Sequence, residues 1–286
     1  MTVAKETVPN ATVPNATVPA TTAQSDTVRD AFAQATAAAV AAGVTVRLAD
    51  PPDMSGVIGL FERTWGEGRS PDRSMLLALD YAGNTVLTAV ADTKQVGAAL
   101  GFLGWTNGLH LHSHMAAVVP WRRSGGVGYA LKLFQRAVCL DHGVTEMRWT
   151  FDPLIGRNAH FNLVKLGAEV ATFLPDFYGR LDDAITGSDR SDRFEVRWRL
   201  NSPRVDRALR GEHPPVWTTS EVLPLGVDFE HLRADDPAAA AELRATSRAL
   251  FGENLARGLR PELNLNNDYV FTTDAADLPG TAGRTA

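Results

Sequence analysis

One cysteine in 286 residues, Cys139, excludes an internal disulfide framework. It falls among apolar residues at helical spacing, which predicts a small core thiol rather than a reactive one. No run of about 18 apolar residues occurs, so no membrane span is expected. The first 22 residues also lack the apolar centre of a signal peptide. A basic excess is missing too: 28 Lys and Arg face 33 Asp and Glu, a formal charge of −5. Nothing in that balance draws the chain to nucleic acid or to anionic lipid. A cytoplasmic protein is the expectation. The 44% hydrophobic and 21% charged residues are those of an ordinary globular chain, long enough for one large domain or two modest ones.

The chain opens on a repeat, Thr7-Val8-Pro9-Asn10-Ala11, then Thr12-Val13-Pro14-Asn15-Ala16, then Thr17-Val18-Pro19-Ala20. A proline in every unit blocks helix, and there is little apolar mass to bury, so residues 1–24 are expected to form a disordered tail. Its Asn-Ala-Thr triplets match a glycosylation acceptor, which is empty without secretion. Order is expected from Ser25. Helical periodicity or caps place helices over 28–42, from Asp50 to Trp65, 74–82, 127–142 and 158–166. Alternating apolar residues place strands over 44–48, 85–91, 96–105, 109–119, 147–151, 168–173 and 194–200. That alternation of types predicts a mixed α/β sheet with helices on its faces over 25–202. Residues 203–286 read as an appended α+β extension, with a possible strand at 221–227, a helix starting at Asp235-Asp236-Pro237, and a turn before Tyr269-Val270-Phe271.

The most informative stretch is Val118-Val119-Pro120-Trp121-Arg122-Arg123-Ser124-Gly125-Gly126-Val127-Gly128-Tyr129. A strand runs into a glycine turn that opens a helix. Gly125, Gly126 and Gly128 allow positive φ and close approach of a ligand to the backbone. The first helical N–H groups lack intrahelical partners and lie at the positive end of the dipole, which suits a pyrophosphate. Arg122 and Arg123 add charge beside them. Neither Gly-x-Gly-x-x-Gly nor Gly-Lys-Ser/Thr is present in the turn, which sets aside the dinucleotide and P-loop fingerprints. The plainer reading of the glycines is a tight connection into a helix.

The spacing Arg123-x-x-Gly126-x-Gly128 after Val-Val-Pro resembles the Arg/Gln-x-x-Gly-x-Gly/Ala motif of GNAT acyltransferases. A second segment, Arg157-Asn158-Ala159 opening a helix that ends Leu166-Gly167-Ala168, resembles that family's later strand–helix unit. The order of elements from Val44 to about Phe173 matches as well, so the resemblance covers roughly half the chain. The resemblance implies a splayed central sheet whose strand over 116–119 holds the pantetheine arm of coenzyme A. It also implies that Val118, Val119, Arg123, Ser124, Gly125, Gly126, Val127, Gly128, Tyr129 and Asn158 contact the cofactor. The donor implied is acetyl-CoA or succinyl-CoA, and the acceptor a small-molecule amine. The phrases Leu111-His112-Ser113-His114-Met115 and Trp149-Thr150-Phe151-Asp152-Pro153-Leu154 look like a bacterial subgroup of long GNAT chains. Some of that subgroup's genes lie beside those of N-acylamino acid racemases, which suggests amino-acid acceptors. The chain departs from the family where Leu163 stands in place of the usual general-acid Tyr, leaving Tyr178 or Tyr129, or solvent, to give the proton.

Amine acylation needs a proton acceptor. The strand before the turn carries His110, His112 and His114 at i, i+2, i+4, on one face of a regular strand, with Leu109, Leu111, Ser113 and Met115 on the other. Three readings stand: hydrogen-bonded sheet histidines, a base or acceptor site at His112 or His114, and a zinc site, for which no third ligand is evident and which is set aside. Asp152, just past a strand end, reads as a carboxylate that orients a histidine or binds the substrate ammonium, or equally as a turn residue before Pro153. Asn158 reads first as a helix N-cap and second as a substrate contact. An acyl carrier protein as donor, a non-catalytic acyl-CoA-binding module and a homodimer are all compatible with the chain.

Overall fold

The computed structural model describes residues 22–179, 189–219 and 221–280. The proline repeats lie outside these residues. The first helix, α1 (Thr22–Ala41), begins three residues before Ser25. Pro19 is the last proline before it, and the sequence from there to Ser25 holds only Ala, Thr and Gln, none of which stops a helix.

A seven-stranded sheet is built from β1 (Thr45–Leu48), β2 (Thr85–Ala91), β3 (Lys94–Gly104), β4 (His110–Val118), β5 (Glu146–Phe151), β6 (Glu169–Leu174) and β7 (Arg193–Arg199), in the order β1-β2-β3-β4-β5-β7-β6. Every pairing is antiparallel except β4 with β5. Helices α2 (Met54–Trp65) and α3 (Arg73–Tyr81) follow β1, and α4 (Val127–Asp141) connects β4 to β5 as the crossover that a parallel pair requires. An added Cβ at Gly97 of β3 would meet Val127 and Leu131, so α4 covers that face, while α2 covers the other. Helix α4 is buried on almost every side, between the sheet and α1. This mixed α/β sheet flanked by helices is the fold the sequence pattern implied.

Two irregularities shape its centre. β4 pairs Ser113 with Gly101 and Met115 with Leu100, which leaves His114 as the extra residue of a β-bulge. Ser113 bonds to α4, whereas Met115, by its register with Leu100, turns to the opposite face. The expected uniform alternation is therefore broken at His114, and Met115 joins the histidine face. β4 and β5 also pair only at Leu111–Met147 and His112–Arg148, and then part.

Past β5 come α5 (Gly156–Ala159) and a π-helical stretch, His160–Lys165, ended by Gly167 at φ +69°. A side chain at Gly167 would strike the Arg204 carbonyl at 3.0 Å, so glycine is required there for space as well as conformation. The extension supplies α6 (Pro203–Leu209), α7 (Phe229–Asp235) and α8 (Pro237–Ala256), with a second sheet ordered β8 (Val222–Leu223), β10 (Tyr269–Thr272), β9 (Arg260–Leu263). Of these, α6, α7 and β9 carry too few periodic apolar residues to be read from sequence. The extension shares the main core: Phe251 packs on Phe194 of β7 at 4.7 Å between ring centres, and Tyr269 on the same ring at 5.7 Å. Arg204 and Glu262, each 2% exposed, form a two-pronged pair at 2.5 and 2.7 Å, and the same guanidinium donates to the carbonyls of Gly167 and Ala168.

Candidate active site

The turn between β4 and α4 forms a tight, mostly irregular loop. Ser124 takes φ +63° and Gly126, the residue preceding α4, φ +84°. Gly126 thus needs its glycine, since L side chains strain there. Gly125 and Gly128, expected to share that conformation, do not take it. A Cβ at Gly128 would meet only Val118, at 3.9 Å, so its small size opens the wall rather than permitting a turn.

This turn lines a cleft of about 710 Å³ at the ends of the parting strands. Val118, Arg123, Ser124, Gly126, Gly128, Tyr129 and Asn158 of the expected set reach it; Val119, Gly125 and Val127 do not. Val119 and Val127 are buried in the apolar core instead. Asn158 is not an N-cap: that position is Ile155, and Asn158 lies inside α5. Tyr129 is half-buried, and desolvation raises its pKa, so it stays a neutral phenol at pH 7. Residues from the extension complete the far wall, among them Leu225, Gly226, Asp228, Glu230 and Asn267. Sequence reading missed these because they follow weakly patterned segments.

The histidines stand on the opposite face of the sheet. Phe102 lies 5.3 Å from His112 and 5.7 Å from His114, and the two imidazoles are 5.9 Å apart. His110 fits the hydrogen-bonded reading, its Nδ1 2.8 Å from the Gly108 carbonyl. Burial, then the neighbouring His114, His110 and Lys132, pushes His112 down to about 4; desolvation alone lowers His114. Both rings are biased to the neutral, proton-accepting form. His112 is the weaker base. The Tyr178 hydroxyl lies 3.2 Å from that of Thr150 on β5. By register with Arg148 and His112, Thr150 faces the histidine side.

Asp152 is engaged elsewhere. Both its oxygens accept from Arg244 of α8, at 2.8 and 2.7 Å, and Arg244 is 2% exposed. Oδ1 also accepts from the Leu154 amide, the turn role expected before a proline. An orienting role toward a histidine is therefore replaced by a buried ion pair that docks the extension. Leu163, where the resemblance would place a tyrosine, is buried in the core.

One group escaped sequence reading altogether. Lys132 of α4 is buried beneath β4, its Nζ 2.6 Å from Ser113 Oγ and 3.8 Å from the Trp149 ring centre. Burial pushes it down to about 7. Ser113 donates to Gln135, which donates to Thr85, extending a polar chain under the sheet. The only signal was a lysine inside the run Ala130-Leu131-Lys132-Leu133. Cys139 is buried and its thiol is pushed up to about 12 by desolvation, an inert core residue as expected. Among the described residues, no group of three His, Cys, Asp or Glu side chains converges on a metal position. No helix among them is long and apolar enough to cross a membrane.

No family model and no curated protein matches the chain. Solved structures do. The chain is similar to an acetyltransferase of the GNAT family from Streptococcus pneumoniae, with 12% identity, 54% of this chain and 97% of that one covered, and a TM-score of 0.45. It is also similar to the ribosomal-protein-S18-alanine N-acetyltransferase from Escherichia coli, at 14% identity, 55% and 94% coverage and a TM-score of 0.45. Arabidopsis thaliana Naa50, bound to a bisubstrate analogue, gives 17% identity, 54% and 97% coverage and a TM-score of 0.44.

Proposed function

We propose that the chain is a GNAT-type acyltransferase that moves an acyl group from coenzyme A to the amine of a small, amino-acid-like metabolite. One observation carries this reading: β4 and β5 part beyond His112 and Arg148, and the cleft lined by the Gly126 turn opens where they separate. Parting leaves backbone N–H and C=O groups of β4 without partners from β5, and such groups demand a ligand or water. An extended pantetheine arm satisfies them as an added strand would. The turn then offers amides and Arg123 to the pyrophosphate.

The acceptor enters from the histidine face. Its neutral amine attacks the thioester carbonyl, the C–S bond breaks, and the thiolate takes a proton. His114 receives the amine proton, and it suits that task better than His112 because its basicity is less depressed. The Tyr178 hydroxyl, 3.2 Å from that of Thr150 on β5, gives the thiolate its proton.

The donor half of the proposal is tested at Gly126. A valine there must hold φ near +84°, a strained conformation for a β-branched residue, with its Cβ 3.5 Å from that of Ala42, so the turn itself must shift. Affinity for CoA, measured by calorimetry, should fall at least tenfold, about 1.4 kcal/mol, in a Gly126→Val protein that still folds. Unchanged affinity in a folded variant would remove the assignment.

A further inference from the structure

The cleft's far wall comes from a part of the chain beyond residue 203. Leu225, Gly226, Asp228 and Glu230 face the Gly126 turn across it, with Asn267 beside them. Two polar contacts tie that wall to the segment after β5. Arg157 pairs with Glu230 through its two terminal guanidinium nitrogens, Nη2 at 2.8 Å, and His160 Nδ1 meets Asn267 Oδ1 at 2.6 Å. The floor is cationic: Arg122, Arg123, Arg157 and Lys165 line it. Arg123 stands near enough to Arg157 to help lower its pKa, after desolvation. Two guanidinium groups held against their own repulsion mark a place for a multiply charged anion. A pyrophosphate at the turn uses the Arg123 end alone, leaving Arg157, Lys165 and the far wall for the rest of the donor.

Resting on the acyltransferase reading, we infer that the extension forms the nucleotide end of the donor site. The Leu225–Asp228 backbone and Glu230 bound the space for an adenosine phosphate, and the site thereby selects a free nucleotide thioester over a carrier-protein phosphopantetheine. The argument is geometric and electrostatic. A phosphopantetheine on a carrier ends at its phosphate, and the carrier's body must then sit where the Arg157–Glu230 bridge and the Leu225 wall stand. A free coenzyme continues past the pyrophosphate into a pocket that is walled, cationic and bordered by the rings of Tyr129 and Phe161. Glu230 occupies Arg157 when no anion is present and is repelled when one arrives, so it tempers affinity.

Gly226 gives a clean probe. It lines the cleft, its φ is unremarkable, and an added Cβ would meet nothing within 4 Å. Binding of CoA and of 4′-phosphopantetheine is measured by calorimetry on the full chain, unaltered and as Gly226→Trp and Glu230→Gln. The unaltered protein should bind CoA at least tenfold more tightly than 4′-phosphopantetheine. Gly226→Trp should cost CoA at least tenfold while leaving 4′-phosphopantetheine within twofold, with the melting temperature unchanged. Glu230→Gln should tighten CoA several-fold, more so at low salt. That second variant decides the matter if the tryptophan disturbs folding. Equal affinities for the two probes would show that the donor needs no nucleotide and overturn the inference while leaving the acyltransferase reading in place. Tighter CoA binding that neither variant alters would also overturn it, confining recognition to the turn. If neither probe binds the unaltered protein, the acyltransferase reading fails and this inference falls with it.

Discussion

Replacing Lys132 with methionine sets two large effects against each other. The side chain is buried under β4 with its ammonium over Trp149 and against Ser113. Held near 7 instead of 10.5, it withholds about 4 kcal/mol of folding free energy at pH 7, taking about 1.4 kcal/mol per tenfold change in proton affinity. Against that, a desolvated cation–π contact contributes about 2 kcal/mol and the hydrogen bond to Ser113 about 1 kcal/mol. Desolvation wins by about 1 kcal/mol, so Lys132→Met should melt roughly 3 °C higher at pH 7. The sign of the pH dependence follows from the depressed pKa. The unfolded chain holds the proton up to 10.5 and the folded one loses it near 7, so stability from this group grows between those values and is lost as pH falls. At pH 10 the buried amine is neutral, keeps its bond to Ser113, and the advantage of methionine should vanish or reverse. Thermal melts of both proteins at pH 7 and pH 10, compared as differences, read this directly. A variant less stable at pH 7 by the same margin as at pH 10 would show that the ring and the hydroxyl dominate, and the desolvation argument would be wrong.

Further outcomes follow from the same structure. Asp152→Asn should lose about 3 kcal/mol in urea unfolding, because Arg244 keeps its buried charge with only Asp189 left as a full partner; lost acyl transfer at unchanged stability would instead return Asp152 to the chemistry. His114→Ala should lower kcat/KM by ~10²-fold at neutral pH, with the loss shrinking as pH rises and free amine accumulates. His112→Ala should cost less than His114→Ala, its ring being depressed to about 4; equal and full activity of both variants would exclude a histidine base.

Much of the sheet and the glycine turn was legible in the chain because those signals are local. Alternation marked β2 through β5 to within two residues, and three glycines beside two arginines marked the turn. What alternation cannot reveal is a bulge. Nothing in Leu111-His112-Ser113-His114-Met115 says that one residue goes unpaired, since the extra residue is set by the register with Gly101 on another strand. The turn role of Asp152 was legible, but its ion pair was not: the partner, Arg244, is 92 residues away and on a helix read only for its apolar face. Glu230, Asn267 and Lys132 share that fate. Their meaning lies in what they face, and sequence spacing carries no record of it.

The ring stack on Phe194 has a consequence for how the chain is made. Phe194 belongs to an inner strand of the large sheet, yet two of its neighbours, Phe251 and Tyr269, are synthesised long after it. During vectorial synthesis β7 can pair with β5 and β6 while one side of this ring still faces water. The growing chain must therefore pass through a stage in which its sheet is assembled but an aromatic surface is open. Such a stage is one that a holding chaperone would recognise, and it ends only when β10 leaves the ribosome.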